Sequence, residues 1–134
     1  MSSIFLIDDN DAQRRMYSRL LYYNGFDVLE ADDPIVGMEM ARTQVPDVIL
    51  MDYWMPRMNG LLAAEVLGVT PETRHIPIVC ITGLDVRQQR ALAPRCRELL
   101  FKPLRTHELV QAVPRFLPHE EKAADTRKVA GAGD

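Results

Sequence analysis

Cysteine, long apolar runs and clustered positive charge are all scarce in this chain. Its two cysteines, Cys80 and Cys96, have no second Cys or His at metal-ligand spacing around them, which leaves no disulfide framework and no zinc site to read. Two reduced thiols are expected. Apolar runs stop after four or five residues, far short of the length a membrane span needs. The Met-Ser-Ser start lacks the charged and apolar regions of a secretory signal, so a cytoplasmic protein is expected. A formal net charge of -3, with both signs scattered, argues against a nucleic-acid-binding face. At 134 residues there is room for one domain, large enough to bury a core without disulfides or structural metal.

What the chain does contain is an alternation of short apolar runs with amphipathic stretches, the pattern of a parallel sheet covered on both faces. The run Ile4 to Ile7 is followed by a helix that Asn10 or Asp11 can cap, with Ala12, Met16, Leu20 and Tyr23 at helical spacing, and Asn24-Gly25 ends it. Phe26 to Glu30 reads as the second strand. Asp33-Pro34 opens a helix whose buried face is expected from Val36 and Met40, with Ile35 and Ala41, and Pro46-Asp47 breaks it. Val48 to Met51 is apolar throughout, as a strand buried on both faces should be.

After a loop carrying Pro56 and Gly60, Leu61 to Leu67 predicts a helix that Gly68 and Pro71 stop. Ile78 to Ile81 is the fourth strand, Asp85 caps a helix from Val86 to about Ala93, and Leu99 to Phe101 is the fifth strand. Thr106 caps a last helix through Phe116, with Pro118 at its end. The stretch 119–134 is charged, then rich in Ala and Gly, and reads as a disordered tail or linker stump beyond a domain of residues 1–118. Five right-handed βα units of this length fit a flavodoxin-like α/β fold, with a doubly wound five-stranded parallel sheet in the order 2-1-3-4-5.

In that order the strand ends converge. Asp8-Asp9 follows the first strand, Asp52 the third, Thr82 the fourth and Lys102-Pro103 the fifth, all at the edge where open α/β sheets keep their chemistry. Three crowded carboxylates repel one another unless a cation sits among them, and hard oxygen ligands with room for water and phosphate suit Mg²⁺. A hydroxyl and an ammonium facing the same point add donors for an anion. Taken singly, each residue has a plainer reading: Asp8, Asp9 and Asp11 as first-turn helix acids, Asp52 as a loop residue, Thr82 as an ordinary strand residue, Lys102 as a solvated charge. For Asp11 the plainer reading is the better one. Four coincidences at four strand ends favour a site centred on Asp52. His75, His107 and His119 have no matched partners and read as surface residues.

Asp8-Asp9, Asp52 with Met55-Pro56 and Asn59-Gly60 behind it, Thr82-Gly83 and Lys102-Pro103, in this order and at these spacings, resemble the receiver domain of two-component response regulators. The resemblance covers about residues 3 to 118. It implies a phosphoacceptor aspartate, Asp52, which takes a phosphoryl group from a sensor histidine kinase or histidine phosphotransfer protein. It also implies a downstream protein partner or a fused output domain. By the same resemblance Asp9 and Asp52 are direct Mg²⁺ ligands, Asp8 acts through water, and the backbone carbonyl of Trp54 is a further ligand. Lys102 and Thr82 contact the phosphoryl oxygens, and the Lys102-Pro103 bond is cis. Such a domain catalyses only its own phosphorylation and dephosphorylation and is not otherwise an enzyme.

The chain departs from the family pattern at three positions. Leu99 stands where the family commonly has an inward-turning Tyr or Phe coupled to the threonine, so the switch formed by Thr82 and Leu99 lacks a hydroxyl and has a smaller lever. Trp54 and Leu84 stand two residues beyond Asp52 and Thr82, and neither orients a water well, which predicts a slowly decaying phosphoryl group. Two alternatives compete. Asp9-Asn10-Asp11 after a strand also resembles haloacid-dehalogenase-type phosphatases, with Asp9 as nucleophile and Asp11 as acid, although the chain shows no late acidic pair and no cap domain. The other is a receiver-like interaction module that switches without phosphate.

Overall fold

The computed structural model describes residues 2–83 and 85–117; Leu84, Pro118 and the proposed tail 119–134, His119 included, lie outside the described residues. Five strands, β1 (Ser3–Ile7), β2 (Asp27–Ala31), β3 (Val48–Asp52), β4 (Ile78–Thr82) and β5 (Glu98–Phe101), alternate with five helices. These are α1 (Asp11–Tyr23), α2 (Pro34–Gln44), α3 (Gly60–Val69), α4 (Val86–Leu92) and α5 (Thr106–Ala112). The sheet is parallel throughout with the order β2-β1-β3-β4-β5. All five residues of β3 and of β4 are buried, because helices cover both faces and neither strand is at an edge.

Alternation along the strands sorts the core into two layers. Ile4, Leu6, Val48, Leu50, Val79 and Ile81 face α1 and α5, where they meet Tyr17, Leu21, Leu109 and Phe116. Phe5, Ile7, Ile49 and Met51 face the other way, against Ala41, Ala63, Ala64 and Leu67. Each fully buried Val, Leu, Ile, Phe or Met among these contributes about 1.5–3 kcal/mol of apolar transfer free energy.

The helix faces differ from the sequence expectation. In α1 the buried stripe is Arg14, Tyr17 and Leu21. Ala12, Met16 and Tyr23 are exposed and Leu20 is half-buried. Asn10 caps α1 by accepting from the Gln13 amide at 3.0 Å, which fixes the phase of the first turn and turns the Arg14 side toward the sheet. The guanidinium is compensated there: Nη1 donates to the Asp8 carbonyl at 2.9 Å, and Nε pairs with Glu30 at 3.0 Å. In α2 the buried residues are Pro34, Gly37 and Ala41, with Met40 half-buried and Ile35 and Val36 exposed. A Cβ on Gly37 would lie 2.9 Å from Ile7 Cδ1, so the closeness of α2 to β1 selects the small residues for the inner face.

Two boundaries also shift. β2 begins and ends one residue later than expected. Thr106 is the first helical residue of α5 rather than its cap; the Arg105 amide donates to Glu108 Oε1 at 3.0 Å instead. The helix gives way to a 3-10 turn, Val113–Arg115, around Pro114, which has no amide hydrogen to continue the α-helical ladder. Cys80 and Cys96 are both free, and the fold brings them together beside Tyr53, Leu92 and Leu99.

Candidate functional site

Each site residue sits where a strand ends. Asp8 follows β1 and its amide donates to the Ala31 carbonyl at 3.0 Å, which prolongs the sheet into the site. Asp52 is the last residue of β3 and Thr82 the last of β4; in register Asp52 lies opposite Ile81 and Thr82 opposite Phe101. Lys102 follows β5, its amide donating to the Thr82 carbonyl at 2.9 Å. The Lys102-Pro103 peptide is cis.

Asp8, Asp9 and Asp52 each offer a carboxylate oxygen, and these oxygens lie within 4.8 Å of one another. Asp8 and Asp52 are buried and Asp9 is exposed, so the cluster has one open side. Asp8 accepts from the Asn10 amide at 2.9 Å and from Gln13 Nε2 at 2.5 Å. Asp11 stays outside the cluster and pairs with Arg14 at 2.8 Å, as a first-turn acid of α1. That removes the residue a phosphatase of the haloacid-dehalogenase type would need beside Asp9.

Asp52 is 4% exposed. Lys102 Nζ lies 2.8 Å from its Oδ1, yet this oxygen has no aligned hydrogen bond, so the contact is an ion pair that leaves lone-pair capacity unused. Burial pushes the Asp52 carboxyl above the ordinary carboxylate range. The Lys102 ammonium opposes that shift, and the charges of Asp8 and Asp9 add to it. Burial, followed by the charges of Asp8 and Asp52, also raises the Tyr17 hydroxyl. Contact with Cys96 and then burial push the Cys80 thiol up, while the same contact lowers that of Cys96.

The residues around the acids are arranged by local packing. Gly60 donates its amide to the Tyr53 carbonyl at 2.8 Å, closing the loop after Asp52. A Cβ there would lie 3.0 Å from Tyr53 Cα and 3.3 Å from the Asp52 carbonyl oxygen. Trp54 is 64% exposed, its ring edge-to-face with Tyr53 at 5.4 Å between centroids. Leu99 is half-buried against Tyr53, Cys80 and Leu92. His75 and His107 are exposed and are not among the residues of the cluster.

Two glutamines were not foreseen. Gln13 holds Asp8, and Gln88 Oε1 accepts a hydrogen bond from the Thr82 hydroxyl at 2.9 Å. Both occupy the third position of the helix that follows a site strand, and both donate their backbone amide to the capping side chain, Asn10 or Asp85, at 3.0 Å. The cap-plus-three spacing in the sequence is the signal that would have found them.

A fold of this order with acids, hydroxyl and ammonium at one edge defines a phosphoryl-receiving signalling module, and comparison with known proteins agrees. Residues 4–114 match the response regulator receiver domain family, and the chain belongs to it. The polar-differentiation response regulator DivK of Brucella anthropi is 24% identical over 117 residues, covering 86% of this chain and 95% of that protein. The chemotaxis response regulator CheY4 of Vibrio cholerae superposes with a TM-score of 0.81 at 24% identity, covering 87% of this chain and 99% of that one. The receiver domain of the sensor histidine kinase PA1611 from Pseudomonas aeruginosa, solved with a magnesium ion in its active-site cleft, gives 0.78 at 26% identity, covering 86% and 96%.

The chain is thus a receiver domain of two-component systems, a signalling module of a kind that interacts with histidine kinases and downstream effectors. The family binds Mg²⁺ at an acidic site. Among the described residues no helix is long and apolar enough to cross a membrane.

Proposed function

We propose that this receiver accepts a phosphoryl group on Asp52 from a phosphohistidine of a sensor kinase or phosphotransfer protein, and that Mg²⁺ is held by Asp9 and Asp52, by Asp8 through water, and by the Trp54 carbonyl. The observation that carries this reading is the meeting of three carboxylate oxygens within 4.8 Å of one another around a buried Asp52, three negative charges against the single ammonium of Lys102, which leaves a further cation to be accommodated. An all-oxygen donor set with one open side fits a hard divalent ion that keeps part of its water shell. Gln13 already occupies one oxygen of Asp8, which suits a ligand acting through water.

When bound, the ion offsets charge on the phosphoryl oxygens and among the acids. The chain's own groups do the rest. An Asp52 oxygen attacks phosphorus as the bond to the donor nitrogen breaks. Lys102, 37% exposed at its side chain, stands beside the attacking carboxylate and pairs with a phosphoryl oxygen as negative charge arrives. The Thr82 hydroxyl donates to a second oxygen. Hydrolysis later returns Asp52 to the free carboxylate, so the only reactions catalysed are on the domain itself. Trp54, large and apolar and two residues beyond Asp52, restricts the water that this hydrolysis needs, which supports a long-lived phosphoryl group. The product carries about one and a half to two extra negative charges, which changes what the domain binds.

Incubation with acetyl phosphate and Mg²⁺ followed by intact-mass measurement tests this. One phosphoryl group should add to the native protein and none to Asp52→Asn. Label persisting in Asp52→Asn and lost in Asp9→Asn would establish the phosphatase-like chemistry instead; no label in any protein would mark a module that switches without phosphate.

A further inference from the structure

We propose that Gln88 is a positioning residue that holds the Thr82 hydroxyl away from the phosphoryl site and ties the start of α4 to the sheet until Asp52 is phosphorylated. The inference rests on the phosphoacceptor reading of Asp52 and extends it to how the state of the site reaches the surface.

A threonine hydroxyl has one proton to give. In this structure it goes to Gln88 Oε1 at 2.9 Å, with Thr82 itself 1% exposed. Donation to a phosphoryl oxygen on Asp52 therefore requires that this bond break. The proton stays on Thr82 throughout; only its acceptor changes.

The other end of the bond is weakly held. α4 has seven residues, and Leu92, at its last position, is the one that is fully buried. Leu92 packs with Tyr53 and Cys80, and its carbonyl accepts from the Arg95 and Cys96 amides at 2.9 and 3.0 Å. At the other end Val86 and Arg87 are exposed, and the Asp85 cap holds the first turn only to itself. Among the described residues, the Thr82–Gln88 bond is the side-chain hydrogen bond that joins that first turn to β4. Leu99, packed against the same Tyr53–Cys80–Leu92 cluster, has no hydroxyl to report the position of Thr82, which leaves Gln88 as the polar contact through which it is felt on the helix.

The test is a cycle of Gln88→Met and Thr82→Ala read by beryllofluoride with Mg²⁺, a phosphoryl mimic, using fluorescence of the sole tryptophan, Trp54. Methionine keeps the length and helix propensity of glutamine and removes the acceptor. Gln88→Met should bind the mimic about fivefold more tightly, the worth of one neutral hydrogen bond no longer broken, near 1 kcal/mol. In a Thr82→Ala background the same substitution should change nothing. Gln88→Ala serves as a second variant. Amide exchange supplies the readout that a merely structural role would not move: the amides of residues 89–92 should exchange faster in native protein once the mimic binds, whereas in Gln88→Met, fast already, they should not respond to the mimic.

Equal affinity of Gln88→Met and native protein overturns the proposal, as does tightening that survives in Thr82→Ala. Native protein that never binds the mimic overturns the phosphoacceptor reading itself, and this proposal with it.

Discussion

Replacing Asp52 with Asn should make the metal-free protein more stable at neutral pH, although it deletes one half of a buried ion pair. The contributions can be weighed from the distances. Two like-charged oxygens lie within 4.8 Å of the Asp52 carboxylate, each repelling it by roughly 3.5 kcal/mol or more at an effective dielectric near 20. One ammonium at 2.8 Å attracts it by roughly 6 kcal/mol on the same scale. Asp9 is exposed and Lys102 is 37% exposed at its side chain, so solvent weakens one contribution of each sign. What remains is a net repulsion on the order of 1 kcal/mol, to which the cost of burying the charge is added. Asn keeps the shape, and its amide oxygen still faces the Lys102 ammonium. The expected gain of about 1 kcal/mol raises Tm by roughly 3–5 °C for a domain of this size.

The pH dependence has a definite sign. The folded-state pKa of Asp52 lies above its unfolded value, chiefly through burial, so it is the ionised form that costs the fold. The penalty is absent below the unfolded carboxylate range and grows as pH rises through the folded value. The advantage of Asp52→Asn should therefore shrink toward pH 4 and reach its full size at pH 7. Mg²⁺ at about ten times its Kd should add about 1.4 kcal/mol to the native protein and less to the variant, closing the gap. Thermal melts in chelator at the two pH values and in Mg²⁺ are the assay. A variant less stable than native protein at pH 7 in chelator would show that the Lys102 attraction outweighs the acids, and would refute the reasoning.

Gly60→Ala should cost about 1–3 kcal/mol in a melt, because its Cβ meets backbone at 3.0 Å beside Asp52, and a stabilised variant would contradict the packing account. Addition of Mg²⁺ and beryllofluoride should change Trp54 fluorescence, the ring standing in the loop directly after Asp52 and Tyr53; an unresponsive spectrum would speak against an intact site. Trp54→Asn should speed decay of the phosphorylated protein after donor removal, each tenfold corresponding to about 1.4 kcal/mol of barrier, and an unchanged decay would show that Trp54 does not govern water access.

Much of the site was legible because each of its members ends an apolar run. Ile4-Phe5-Leu6-Ile7 before Asp8 and Val48-Ile49-Leu50-Met51 before Asp52 give both the strand and the edge at which its polar residue emerges, and strand order follows from the βα alternation. Helix faces were less legible. Periodicity in α1 could be drawn through Met16 and Leu20, but the phase is set by the Asn10 cap, and a stripe containing Arg14 becomes buried only because Glu30 and the Asp8 carbonyl, from other elements, satisfy it. In α2 a close approach to Ile7 overrules hydrophobicity and places Gly37 inside while Val36 stays out. The meeting of Cys80 with Cys96 depends on how the end of α4 lies against β4, which no spacing along the chain encodes.

The central claim, that Asp52 is the phosphoacceptor, is tested most directly by trapping the acyl phosphate. Native protein treated with acetyl phosphate and Mg²⁺, then reduced with borohydride, should yield a peptide whose side-chain alcohol maps to position 52 and to no other acid. Reduction mapped to position 9 or 8, or a peptide map without any alcohol after full exposure to the donor, would contradict it.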